Sequence, residues 1–426
     1  MRSYRDLFRT PEFSPFFLAA SAQTVARTMG GLALGTLVYR ATESPLLSAV
    51  SMFGSSLVQV LGATFLLSAA DRLPPRAALT ALPLCFAAAT AALALPGLPV
   101  WTLFAIVFAQ GLVESVGGGV RWGLLNEILS KDGYLLGRSV FNMMSGVMQI
   151  AGYATGGALV ALLSPRLSLL AAAALYGTSA VVVRLGLTRR PPRTTGRPSA
   201  VATWRANALL WSSPPRRHVY LALWIPNGLV VGCESLYVSY APDAAGTLFA
   251  CAALGMLAGD VLVGRLLPAR LRPRLGFPLL LLLAVPYVPF LLHPALPLAA
   301  AAVTLASVGF GASLVQQERL VALTPDHLTG HALGLHSAGM LTLQGVAAAL
   351  AGSMAHLTSP AGAMTAMAVG SAGMTLWLKR AEKRAEGAGG GAGKGKGKGG
   401  RERGQGKGAG KGGGSRAGEV LNGSGR

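Results

Sequence analysis

Along the chain, apolar residues gather into runs of roughly 17 to 25, the length a helix needs to cross the hydrocarbon core of a bilayer. Six runs lie near 13–38, 46–68, 77–95, 99–120, 139–163 and 167–187, and six more near 218–240, 244–267, 276–293, 297–316, 332–357 and 361–378. They predict an all-α integral membrane protein with twelve transmembrane helices. The polar joint 188–217, TRRPPRTTGRPSAVATWRANALLWSSPPRR, divides the runs six and six. Its Pro, Thr and Arg content reads as a linker, within which ATWRANALLW is able to form a short helix lying on the membrane. The expected organisation is an N-terminal six-helix bundle (1–187), a cytoplasmic linker (188–217), a C-terminal six-helix bundle (218–378) and a disordered basic Gly/Lys-rich tail (379–426).

Basic residues give an independent check through the positive-inside rule. The odd-numbered gaps hold only Arg40 and Arg166, whereas the even-numbered ones hold Arg72 and Arg76, Lys131 and Arg138, a run from Arg189 to Arg217, and Arg265, Arg270, Arg272 and Arg274. Both termini are therefore expected in the cytoplasm. The first run stays as an uncleaved span: LAASAQ at 18–23 loosely resembles a signal-peptidase site, but too few apolar residues separate it from Pro15 for an h-region.

Composition agrees. Of 426 residues 52% are hydrophobic and only 12% charged, against roughly 25% charged in soluble domains, and the mean hydropathy is +0.51. The net charge of +21 would suit nucleic acid, but 13 of the 37 Lys and Arg lie in the last 48 residues and many others sit between the runs. The tail is expected to meet anionic lipid headgroups or nothing specific, rather than nucleic acid. Cys85, Cys233 and Cys251 all fall inside runs without C-x-x-C spacing, so they read as buried small side chains with neither disulfide nor zinc site. His327, His331 and His336 lack a completing carboxylate or thiol set, and no metal or other cofactor is expected. No phosphate-cradling G-x-x-x-x-G-K-[ST] is present, which argues against ATP-driven pumping, and no nucleophile, base and orienting group recur at a spacing that suggests an enzyme.

The halves resemble each other. ADRLPPR follows the second run and GRLLPAR the eighth, placing Arg72 and Arg265 193 positions apart, and the same offset pairs Gly137 with Gly330, Gly146 with Gly339 and Gly152 with Gly345. Twelve runs, a basic central joint, DRLPPR and the opening LFRTPEFSPFFLAASAQ together resemble the major facilitator superfamily, and within it the bacterial drug and siderophore exporters. The loop signature of that family is matched at Asp71, Arg72 and Arg76, with Leu67 and Pro74 where its glycines stand. In the fifth run GYATGG keeps Gly152, Gly156 and Gly157 of the antiporter signature, with Tyr153 in place of Pro; close helix packing accounts for these glycines equally well. In the fourth run VFAQGLVES keeps Gln110 and Gly111 but has Val107 where the family carries Arg.

Few charges lie well inside the runs: Arg27 in the first, Glu114 in the fourth, Glu234 in the seventh, and Asp260 nearer the cytoplasmic end of the eighth. Intramembrane charges face a bundle interior or a water-filled cavity. The resemblance implies that the first, fourth, seventh and tenth helices line a central cavity, so the three deepest charges converge there. Arg27 is expected to compensate Glu114 or Glu234 and the three to serve substrate binding and proton coupling, with Asp71, Arg72, Arg76, Asp260 and Arg265 in gating. A cluster at Gln316, Gln317, Glu318 and Arg319 reads as a solvated helix end. The expected function is alternating-access secondary transport of a small, partly hydrophobic compound, as proton-coupled efflux by a monomer in a bacterial cytoplasmic membrane. The alternatives are uptake or facilitated diffusion of an anionic solute, and a non-transporting sensor or scaffold that uses the basic tail.

Overall fold

The computed structural model describes residues 4–70, 73–129, 131–191, 200–268, 270–325 and 328–395, and every element among them is helical. A short α1 (Tyr4–Arg9) leads into α2 (Phe13–Thr42), α3 (Pro45–Ala70), α4 (Pro75–Leu93), α5 (Val100–Ile128), α6 (Lys131–Leu162) and α7 (Pro165–Gly186). Then come α8 (Ala200–Ser212), which contains the ATWRANALLW stretch, and α9 (Pro214–Glu234) with α10 (Tyr237–Tyr240), which share the seventh run. Helix α11 (Ala245–Val261) continues into a π turn at Leu262–Leu266, and α12 (Arg272–Ala284) into a 3₁₀ segment at Val285–Leu292. A 3₁₀ turn at Gly309–Gly311 joins α13 (Leu296–Val308) to α14 (Ala312–Ala322), and α15 (Thr329–Leu357) and α16 (Pro360–Gly395) follow. Among the described residues, ten helical stretches are long and apolar enough to cross a membrane, from Pro75–Leu93 to Pro360–Arg384. The chain is a multi-pass membrane protein.

Local chemistry sets the breaks. Pro45, Pro75, Pro165, Pro214 and Pro360 each open a helix, where the missing N–H would have been unpaired anyway. The Ser164 hydroxyl caps α7 by accepting the Leu167 N–H at 3.2 Å. Glu43 and His293 take left-handed φ of 51° and 50° where α2 and the 3₁₀ segment stop. Pro286 and Pro289 remove two amide donors, which accounts for the 3₁₀ geometry there.

The early helices pack as α2 against α6 and α7, α3 against α5, and α4 against α7; the late ones as α9 against α15 and α11 against α13. Two seams join early to late, α3 with α15 and α6 with α11. Contacts group the chain into two compact units, Met1–Lys379 and Arg380–Arg426.

Several expectations need correction. Helix α5 runs eight residues past 120 to Ile128, and α14 runs to Ala322 rather than ending at 316, because spans extend beyond the hydrocarbon core as ordinary hydrogen-bonded helix. The helix of α16 reaches Gly395, past the expected start of a disordered tail at 379; Ala381, Glu382, Lys383, Arg384 and Ala385 favour helix, and residues 396–426 lie outside the described residues. Cys233 is buried, but Cys85 is exposed and Cys251 half-buried. His331 and His336 lie within α15, His336 buried, while His327 is outside the described residues.

Candidate functional site

Helices from both sides of the seams enclose a cavity of 610 Å³. Helix α2 presents Arg27 to it and α5 presents Glu114, with Nη1 and Oε1 3.6 Å apart. Of the two expected partners of Arg27, it is Glu114 that forms this pair. The contact is single and open: 56% of the Arg27 side chain and 34% of the Glu114 side chain remain accessible. Guanidinium donors are therefore left facing the cavity.

Helix α5, which has Val107 where the resemblance expects Arg, carries a cation further along. Arg121 follows Glu114 by seven residues and so shares its face; it donates to Gln23 Oε1 at 3.0 Å, and Gln23 in turn donates to Ser179 at 2.7 Å. It lies within electrostatic reach of both Arg27 and Glu114. Ending the run at 120 hid it, although the i to i+7 spacing from Glu114 was visible.

Glu234 is the last residue of α9, where the seventh run breaks before α10. It lines the same cavity, is 5% exposed, and its Oε1 has no hydrogen-bond partner among the described residues. Tyr153 of α6 lies within electrostatic reach of both Glu234 and Arg27, and its ring stacks on Phe249 of α11 at 4.8 Å and 17°. Beside this cavity the seventh run changes its hydrogen bonding after Glu234, where α9 ends, and the tenth tightens into a 3₁₀ turn at Phe310.

The family model for the Major Facilitator Superfamily matches residues 16–317. The chain belongs to that superfamily. Transporters with this fold superpose on it: a POT family transporter crystallised with a thioalcohol-conjugated peptide (TM-score 0.67, 12% identity, 87% of this chain and 95% of that one); the nucleoside transporter NupG (0.67, 11%, 86% and 98%); and a bacterial homologue of the human lysosomal transporter Spinster (0.65, 14%, 89% and 96%). At such identities the likeness is one of fold. No curated protein matches the chain by sequence.

Within this superfamily fold the expected gating residues scatter. Asp71 and Arg72 lie outside the described residues. Arg76, at the start of α4, donates to the Arg184 carbonyl of α7. Asp260 is exposed to the cavity, and Arg265 is exposed on the π turn. What fastens that end of the late helices is Arg272, which the sequence reading did not single out: it donates to Glu318 at 2.5 Å, to the Gly264 carbonyl at 3.0 Å and to the Leu267 carbonyl at 3.3 Å. Of the expected solvated cluster, Glu318 makes this pair, Gln317 lines the cavity and Gln316 is buried. Trp224 packs internally, stacking on Trp211 at 5.7 Å, and Tyr237 is fully buried, so neither is open to stack on a ligand.

The glycines of GYATGG all face neighbours. Gly152 abuts Thr28 and Gly156 abuts Met29, both on α2, while Gly157 faces Gly246 of α11 across the seam. On α15, Gly345, the counterpart of Gly152, faces Leu57 of α3 across the other seam, and Gly339, the counterpart of Gly146, abuts Trp224 of α9.

At the end of the early helices, Arg190 holds Glu12 through two bonds of 2.6 and 3.0 Å and approaches Glu127 at 3.7 Å, and Thr188 donates to Glu12 at 2.7 Å. Partial burial by itself works against ionisation of Glu12; the bonds from Arg190 and Thr188 outweigh it and hold the carboxyl below its ordinary value of 4.5. A carboxyl depressed in the folded state stabilises above its unfolded value, and that contribution fades as pH falls below 4.5. Thermal unfolding followed from about pH 6 to about pH 3 is expected to show a smaller acid loss in Arg190→Gln than in the parent, because the linkage is gone; equal losses in both would mean that the clasp does not govern that limb.

Proposed function

We propose that the chain is an alternating-access secondary transporter that couples outward movement of a small, partly hydrophobic compound to inward movement of protons. The observation that carries this reading is Glu234, a carboxylate buried at a helix break, lining a large cavity, with an oxygen lacking any partner among the described residues. An uncompensated carboxylate in such a place costs several kcal/mol, and the cost is relieved by a proton or by a cation brought by the substrate. Competition between those two is the elementary step of exchange. The open Arg27–Glu114 pair supplies a second charged station in the same cavity.

Counting α2 and α3, whose 30 and 26 residues suffice for a crossing at about 1.5 Å per residue, the span count is twelve, in two bundles with both termini cytoplasmic. The membrane is the bacterial cytoplasmic one. One chain builds the whole cavity, so a monomer suffices, and the tail's basic residues meet anionic headgroups. Asp71, Arg72, Arg76, Asp260 and Arg265 belong to gating. Within the superfamily, the opening LFRTPEFSPFFLAASAQ supports a place among the bacterial drug and siderophore exporters.

The two cations Arg27 and Arg121 favour a second reading, uptake of an anionic solute. Direction separates the two. In everted vesicles given an inward-acidic gradient, amphiphilic compounds are expected to accumulate, and dissipating the gradient is expected to abolish it; accumulation that ignores the gradient, or that is confined to organic anions, would favour uptake.

A further inference from the structure

The charges of the cavity are segregated by wall. The early helices supply its only basic lining residue among the described residues, Arg27, with Glu114 beside it and Arg121 next along the same face. They also supply most of its uncharged hydrogen-bonding groups, such as Ser55, Gln59, Thr90, Gln110 and Gln149. The late helices contribute no basic lining residue; their charges are Glu234 and Asp260, set among Val231, Phe249, Ala252, Met256 and Leu341. One wall thus carries the cavity's cation, balanced by Glu114, and is donor-rich, while the facing wall is negative and largely apolar. Tyr153 stands between them, within electrostatic reach of Arg27 on one side and Glu234 on the other.

Neither wall is neutralised by the other. Arg27 keeps donors open beyond its single contact with Glu114, and Glu234 keeps an oxygen without a partner. A ligand with one charge satisfies one wall and leaves the other as it was. A ligand with both satisfies both at once, and charge-assisted hydrogen bonds to guanidinium and carboxylate are the stronger kind.

We propose that the substrate is amphoteric: an acidic group binds at Arg27 on the early wall, and a basic group borne on the apolar part of the molecule binds at Glu234 on the late wall, spanning the ring of Tyr153. This deepens the transporter reading and rests on its cavity. A ligand lacking one group leaves the buried Glu234 unpartnered or the open donors of Arg27 unused, so discrimination falls on such analogues.

The test uses the full chain in lipid nanodiscs and four probes on one scaffold, with affinity read by calorimetry: para-(aminomethyl)benzoate, its methyl ester, its N-acetyl derivative and the doubly blocked compound. The zwitterion is expected to bind at least about tenfold more tightly than either singly blocked form. Glu234→Gln should erase its advantage over the N-acetyl derivative, and Arg27→Gln its advantage over the ester. Equal binding of the zwitterion and one blocked form, an advantage that survives both substitutions, or no binding by any member would overturn the proposal. Gradient-driven flux of a purely cationic or neutral compound with no zwitterion preference would sink this inference and leave the transporter reading standing; the expected binding pattern without gradient-driven flux of any compound would do the reverse.

Discussion

Glu234→Gln is expected to abolish gradient-driven accumulation in everted vesicles, lowering it by at least about 100-fold, an effect of ~2.7 kcal/mol. Glutamine keeps the volume and one acceptor of the carboxyl, so the packing at the end of α9 survives; what it loses is the ability to bind and release a proton. The side chain is 5% exposed and its Oε1 is unpartnered among the described residues, so the ionised form gains stability only when a cation arrives. A neutral amide cannot alternate between those states. Exchange of labelled for unlabelled substrate, with no gradient imposed, needs no such alternation and is expected to continue in the variant. Accumulation by Glu234→Gln at the parental level would show that the coupling proton travels elsewhere, and loss of exchange even at saturating substrate, together with loss of accumulation, would mark a folding defect instead.

How much of this was legible in the sequence depends on the kind of signal. Apolar run length is set by the bilayer, so the helices from Pro75 onward stand close to where the hydropathy pattern puts them. Periodic repetition was visible too, but it did not fix contacts: Gly152 abuts Thr28 of α2 within the early helices, whereas Gly345, its partner by spacing, meets Leu57 of α3 across a seam. Ends were less legible, since a helix continues beyond the hydrocarbon wherever its hydrogen bonds do, and trimming α5 at the core boundary cost the recognition of Arg121. Pair choice was not legible at all. Glu114 and Glu234 are both single carboxylates in apolar runs, and only helix rotation and tilt, which no local pattern encodes, decide that Arg27 meets the first and leaves the second alone. Arg272 escaped notice for a related reason: it is one of four arginines between 265 and 274, and its distinction lies in the carbonyls it reaches.

Gly157→Leu is expected to be the most damaging single change at the α6–α11 seam. A Cβ on Gly157 would stand 2.8 Å from the Cα of Gly246, and a Cβ on Gly246 would meet Gly157 in return. The obstacle on each side is backbone, which cannot rotate away as the end of a side chain does, so the two helices must separate. Separation opens the packing around Tyr153 and Phe249, whose rings stack across this seam. Overpacking of this kind costs up to ~3 kcal/mol, enough to lower the folded-to-unfolded ratio by about 100-fold. The thermal unfolding midpoint in detergent should therefore fall well below the parent's. Gly177→Ala, on α7 where a new Cβ meets nothing within 4 Å, is the matched control and is expected to leave stability unchanged or raise it by about 1 kcal/mol through helix propensity. A parental midpoint for Gly157→Leu would mean that the seam is not held by this backbone approach, and the antiporter-like glycines of GYATGG would then need a reason other than packing.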